Sequence, residues 1–179
     1  MMDRNCIVPY YGRILAFLLL LPAHRVQAMN SNCEPVFEAM NRMAATPTHI
    51  YATETASSSP GSPATASEMI YSGEAIYVKM SDKWIRAPLT PAEAERQKQQ
   101  DERRAKGNCR YLHDEFVGGE LASVYQAQSQ TRDAKSEERI WISRKKGLPL
   151  RVERDTDVGG KLGKTHRSLH YEYGGVRRP

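Results

Sequence analysis

Apolar residues recur at helical spacing in one stretch of this chain, and at spacing two through most of the rest. From Ser31 to Ala45, the residues Val36, Phe37, Met40, Met43 and Ala44 fall on one helical stripe. Ser31-Asn32-Cys33-Glu34 fits a capping box at the start of that helix, and Pro47 closes it. Thr90-Pro91-Ala92-Glu93 opens a second helix, with Thr as cap, Pro at the first helical position and Glu at the third. Its body, Ala94 to Lys106, is nearly all polar, with Glu102 and Lys106 spaced for an i,i+4 pair and Gly107-Asn108 as a stop signal. So little apolar surface makes this helix a loose cover rather than a core element.

The remaining periodic segments read as strands. They are His49–Thr55, Met69–Tyr71 leading through Ser72-Gly73 into Ala75–Met80, then Lys83–Ala87. After Cys109 come Arg110–Val117 and Leu121–Gln130 around Gly118-Gly119, a pair suited to the positive φ angles of a tight hairpin. Arg139–Arg144, Leu150–Arg154 and His166–Tyr173 complete the series, joined by Lys145–Pro149 and by Gly159–Lys164. Pairing neighbours gives an α+β fold: one antiparallel sheet of about seven or eight strands with two helices on one side. Between the first two strands, residues 56–67 are rich in Ser, Pro, Ala and Gly and read as a flexible loop.

The N-terminus adds an address. Arg4 and Arg13 precede an unbroken apolar run, Ile14–Leu21, and Val26-Gln27-Ala28 offers small residues for cleavage, so 1–28 reads as a signal peptide. The run is about 8 residues, well short of the roughly 20 that cross a bilayer. Residues 29–179 then form one domain, exported to the periplasm as a monomer with no integral membrane span. Among the 179 residues, 26 Lys and Arg face 21 Asp and Glu. Without Arg4, Arg13, Arg25 and Asp3 the excess falls to about +3, too mild to point to nucleic acid. Basic residues concentrate after Arg139, an excess that either favours an anionic surface or, since it alternates with apolar residues, marks a solvated strand face.

With Cys6 removed by cleavage, Cys33 and Cys109 remain, an even pair for which a disulfide is the default in an oxidising compartment. Such a bridge closes a loop of about 76 residues, for which chain entropy gives roughly 4.5 kcal/mol. The other reading of these cysteines is a catalytic thiol beside a histidine, which exported thiols disfavour by oxidising.

Candidate chemistry is sparse. Gly159-Gly160-Lys161-Leu162-Gly163-Lys164-Thr165 lacks the spacing of a phosphate loop, and a strand, not a helix, follows it. His166 and His170 have the interval of a helical zinc pair, but on a strand four residues span about 13 Å, too far for one ion. Neither a nucleophile elbow nor a carboxylate pair with a defined partner is evident, so the sequence points away from an enzyme and calls for no metal or cofactor. The aromatics Tyr51, Tyr71, Tyr77, Trp84, Tyr125 and Trp141 are spread over the strands. Either they are ordinary sheet core, or they line an apolar cavity that two short helices leave unfilled.

Trp141-Ile142-Ser143-Arg144-Lys145-Lys146-Gly147-Leu148-Pro149-Leu150-Arg151, followed by a polar strand and Tyr171-Glu172-Tyr173, resembles the strand, K-x-G-L-P turn, return strand and Y-x-Y series of LolA-like proteins. That resemblance covers most of residues 29–179 in element order. It implies a curved, incompletely closed antiparallel barrel with helices over its mouth, binding a hydrophobic ligand in the concavity. The ligand would be a lipid, an acyl chain or a lipidated protein, making the chain an envelope carrier. The alternative is a non-enzymatic envelope protein–protein interaction module with a packed core and no ligand.

Overall fold

A computed structural model describes residues 34–56, 63–104, 106–131, 133–159 and 163–179, with only the backbone of 102–104 and 106. The proposed signal peptide, the Ser31–Cys33 part of the first cap, the side chains of the Glu102–Lys106 pair, half of the Ser/Pro-rich segment (57–62) and residues 160–162 fall outside that description. Among the described residues the order is α1 (Glu34–Ala44), β1 (Thr48–Ala56), β2 (Thr65–Tyr71), β3 (Ile76–Met80), β4 (Lys83–Arg86) and α2 (Pro91–Arg104). Then follow β5 (Lys106–Val117), β6 (Glu120–Gln130), β7 (Lys135–Ser143), β8 (Pro149–Asp157) and β9 (Lys164–Tyr173).

All nine strands form one antiparallel sheet in the order β4-β3-β2-β1-β9-β8-β7-β6-β5. Its two edges, β4 and β5, do not meet, so the architecture is the expected α+β half-barrel, open along one side. The count exceeds the seven or eight expected because Ser72-Gly73-Glu74 separates β2 from β3 as two full strands. Two meanders, β1–β4 and β5–β9, are joined by the pairing of β1 with β9, in which Thr48 opposes Tyr173 and Glu54 opposes Arg167.

Local chemistry explains the joints. Gly118 and Gly119 take φ of +58° and +82°, the two positive values a type I′ hairpin requires, between β5 and β6. At the start of α2 the Thr90 amide donates to Glu93 Oε2 at 2.8 Å and the Glu93 amide to Thr90 Oγ1 at 3.3 Å, a reciprocal box. Two boundaries differ from expectation. Gly107-Asn108 does not stop the helix but belongs to β5, because Gly107 pairs with Ser129 and Asn108 with Gln128 on β6. Strand pairing also reaches into both ends of segment 56–67, since Ala56 opposes Thr165 on β9 and Thr65 and Ala66 oppose Glu54 and Thr53.

The main core lies between α1 and the sheet. Ala39, Met40 and Met43 of the helix stripe pack on Ile50, Ile140, Ile142, Leu148, Val152 and Tyr171. A smaller cluster, Ala122, Val124, Trp141 and Leu150, forms on the opposite face.

Candidate functional site

Because side chains alternate along a strand, the register assigns every residue to the α1 side, here the inner face, or to the outer face. One inner row follows the pairings Ala52–Leu169–Val152–Ile140–Tyr125–Tyr111 from β1 to β5. Another runs Tyr171–Ile50–Met69–Val78–Ile85 from β9 to β4. Both are apolar, and α1 covers their middle.

Their ends are bare. Ile50, Val152 and Ile140 are 2–3% exposed, but Ile85 at one edge is 50% exposed and Tyr111 at the other 52%. Met80, two residues from Val78, and Phe116, opposite Leu121 on β6, extend these rims at 60% and 73%. Leu89, in the connection from β4 to α2, is also exposed. The inner apolar surface is therefore wider than the helix that covers it.

The second helix adds a polar cover. Gln99 donates to Asn41 Oδ1 of α1 at 2.8 Å and to Glu95 Oε1 at 3.0 Å, tying the helices together. Glu95 is buried, and its charge bears on the hydroxyls of Tyr71 and Tyr171. Burial, first, and neighbouring charge hold the phenols of Tyr71, Tyr171 and Tyr173 above their ordinary value, so they remain neutral hydrogen-bonding groups. Tyr173 donates to the Pro149 carbonyl at 2.5 Å.

The six aromatics singled out in the sequence do not share one surface. Tyr71 and Tyr125 lie on the inner face and pack against the main core. Tyr51, Tyr77, Trp84 and Trp141 lie on the outer face, each beside an inner-facing aliphatic: Ile50, Val78, Ile85 and Ile140. Three of the four outer residues sit in polar networks. His49 Nε2 lies 3.1 Å from Glu68 Oε2, and its Nδ1 lies 3.1 Å from the Tyr51 hydroxyl. Lys79 donates to Glu68 at 2.6 Å, and Trp84 meets His49 edge-on at 6.0 Å. Partial burial and Glu172 raise the Tyr51 phenol, so this relay does not generate a phenolate. The Trp141 indole donates to Glu115 at 2.5 Å beneath Arg139 and Arg151, whose guanidiniums lie 5.9 and 5.1 Å from its ring.

The other sequence candidates are dispersed. Cys109 is buried on the inner face, opposite Ala127. His166 and His170 share the outer side of β9, where His166 takes Asp155 as a partner at 2.8 Å and His170 lies opposite Tyr51. Among the described residues no three His, Cys, Asp or Glu side chains converge as metal ligands. The strands on either side of the Gly-rich stretch, β8 and β9, pair antiparallel up to Asp157 opposite Lys164, while residues 160–162 lie outside the described residues. No helix among the described residues is long and apolar enough to cross a membrane.

The sequence did not announce a cleft of about 630 Å³ where the ends of β5 to β9 meet. Gly107, Ser129, Ser136 and Thr156 line it from the inner face, while outer positions of the same strands supply more of the lining, among them Glu137, Asp155, Asp157, Lys135 and Lys164. The signal was the polar residues on both faces at these strand ends, which only the register brings together.

No family model and no curated protein matches the chain. Among solved structures it is similar to LprF from Mycobacterium bovis, at 8% identity over 82% of this chain and 96% of that one, with a TM-score of 0.45. It is also similar to the LolA superfamily protein NE2245 from Nitrosomonas europaea, at 10% identity over 83% and 94%, with a TM-score of 0.33. A putative outer membrane lipoprotein-sorting protein domain from Vibrio parahaemolyticus aligns at 7% identity over 80% and 93%, with a TM-score of 0.28.

Proposed function

We propose that the chain is a non-enzymatic envelope protein that holds a hydrophobic ligand, such as a lipid or the acyl chain of a lipidated protein, against the inner face of its sheet. The observation that carries this reading is the apolar inner surface that outruns its cover, leaving Ile85, Met80, Tyr111 and Phe116 bare at both rims. A half-barrel with a fully packed core has no use for exposed large apolar side chains on its inner side at both edges. Tyr71 and Tyr125 belong to the same face and would line the ligand; Tyr51, Tyr77, Trp84 and Trp141 belong to the outer surface.

Export to the periplasm through the segment 1–28 completes the proposal. A bridge between Cys33 and Cys109 would tie the residue preceding α1 to the sheet. The packing of α1 on α2, and of α2 on β5, supports that bridge. The test is native mass spectrometry and organic extraction of the full chain expressed with its own leader in a Gram-negative host. Co-purifying acyl lipid is expected. Ile85→Asp and Tyr111→Asp should each weaken binding of a fluorescent fatty acid about tenfold, since burying such a side chain is worth about 1.5–3 kcal/mol. The absence of both co-purified lipid and fatty-acid binding would overturn the reading in favour of a packed interaction module.

A further inference from the structure

The inner face is graded along the strand direction as well as across it. Two residues from the apolar row of Leu169, Val152 and Ile140, or about 6.6 Å along the strands, lies a charged row. It consists of Glu54 on β1, Arg167 on β9, Arg154 on β8 and Glu138 on β7. Another two residues on lies the small polar row of Thr165, Thr156, Ser136, Ser129 and Gly107, most of which borders the 630 Å³ cleft.

Within the charged row the two arginines stand directly opposite each other, an arrangement that destabilises a sheet unless counter-charge is supplied. Glu138, with a side chain only 14% exposed, is ion-paired with Arg154. Arg167 is left over. It is partly buried, and among the described residues it has neither an ion pair nor a side-chain hydrogen bond. Glu54, opposite it on β1, is exposed and makes no ion pair with it. Arg167 opposes the upward shift of the Tyr71 hydroxyl, as does Lys98 of α2, so its charge is felt on the inner side and close to the apolar surface.

We infer that the ligand of the inner face is an acyl lipid bearing an oxyanion, with its chains on the apolar rows, its carboxylate or phosphate on Arg167, and any further polar head along the small polar row beyond it. This rests on the reading that the inner face takes a hydrophobic ligand, and it names the class. A planar guanidinium presenting several N–H donors matches either oxyanion, and in a partly buried place the charge-assisted bonds are strong. The order of the three rows matches the order of parts in such a molecule: chain, anionic group, polar head.

The test measures binding of three fluorescently labelled probes to the full chain: phosphatidylglycerol, a free fatty acid and uncharged diacylglycerol. In Arg167→Gln the anionic probe that is the true class should bind about tenfold more weakly, from the loss of a charge-assisted contact, with diacylglycerol unchanged and Arg167→Lys retaining most of the affinity. Loss for phosphatidylglycerol alone assigns a phosphate; loss for the fatty acid alone assigns a carboxylate. Equal binding of all three probes by wild type and Arg167→Gln overturns the anion site but leaves the apolar reading standing. No binding of any probe overturns that reading too. Should the variant fold poorly, a salt titration of wild type separates the same outcomes: affinity for the anionic probe must fall while that for diacylglycerol does not.

Discussion

Replacing Gly147 with Ala tests how α1 is fixed over the inner face. Gly147 sits in the turn between β7 and β8 with φ of +63°, and a Cβ built there would collide with Arg42 Nη1 and lie 3.2 Å from its Cζ. The same Nη1 donates to the Lys146 carbonyl at 2.9 Å, so the C-terminal turn of α1 is tied to this hairpin. Alanine at positive φ costs about 1–2 kcal/mol. The guanidinium must also swing away and lose its bond, which for an exposed donor is worth about 1 kcal/mol. Gly147→Ala should therefore destabilise by about 2–3 kcal/mol and Arg42→Ala by about 1 kcal/mol. The double variant should cost no more than Gly147→Ala alone, because the bond can be lost only once, giving a coupling of about −1 kcal/mol. Urea unfolding of the four proteins, with equal m-values as the two-state check, measures this cycle. Strict additivity of the two substitutions, or a Gly147→Ala cost below about 0.5 kcal/mol, would refute the tie between α1 and the turn.

Two more outcomes follow from the packing and the charges. Ile140→Ala, at a side chain 2% exposed between Val152 and Tyr125, should cost about 2–5 kcal/mol. Ile85→Ala on the bare rim should cost under about 1 kcal/mol, and equal losses in calorimetry would disprove the graded burial of the inner face. In a Trp84→Phe variant, Trp141 becomes the sole indole. Bonds from His113, first, and from Trp141 hold the Glu115 carboxyl below its usual 4.5. A depressed carboxyl keeps its contribution above its unfolded value and loses it only as pH falls through the lower, folded value. The emission of Trp141 should accordingly change with a midpoint below pH 4.5, and a midpoint at or above that value would show that the indole–carboxylate bond is absent.

Local features of the fold were legible because local chemistry fixes them. The Thr90–Glu93 box, the Gly118-Gly119 turn and the Met40–Met43 stripe each act within a few residues, and each stands where the sequence places it. The pairing of β1 with β9 was not legible, since no short-range pattern tells one half-buried strand to choose a partner from the far end of the chain. The aromatics show the same limit. In Ile50-Tyr51, Tyr77-Val78, Trp84-Ile85 and Ile140-Trp141, adjacent apolar residues hide the alternation, and only register sends the aliphatic inward and the ring outward. Arg167 and Arg154 were counted among basic residues of a solvated face for the same reason. Nothing in one strand reveals that its charge will meet another arginine on the next.

The seam between the first and last strands has a mechanical meaning. Thr48 and Tyr173 begin it at one end, Ala56 and Thr165 finish it at the other, and the two strands run in opposite directions. Tension applied at Thr48 and Tyr173 would therefore load the ladder one rung at a time, as a zipper is opened, rather than shearing all its bonds together. Within each meander the paired strands are neighbours in sequence, whereas this seam joins the most distant strands of the sheet. It should form late in folding and part early under force, dividing the half-barrel into a four-stranded and a five-stranded leaf.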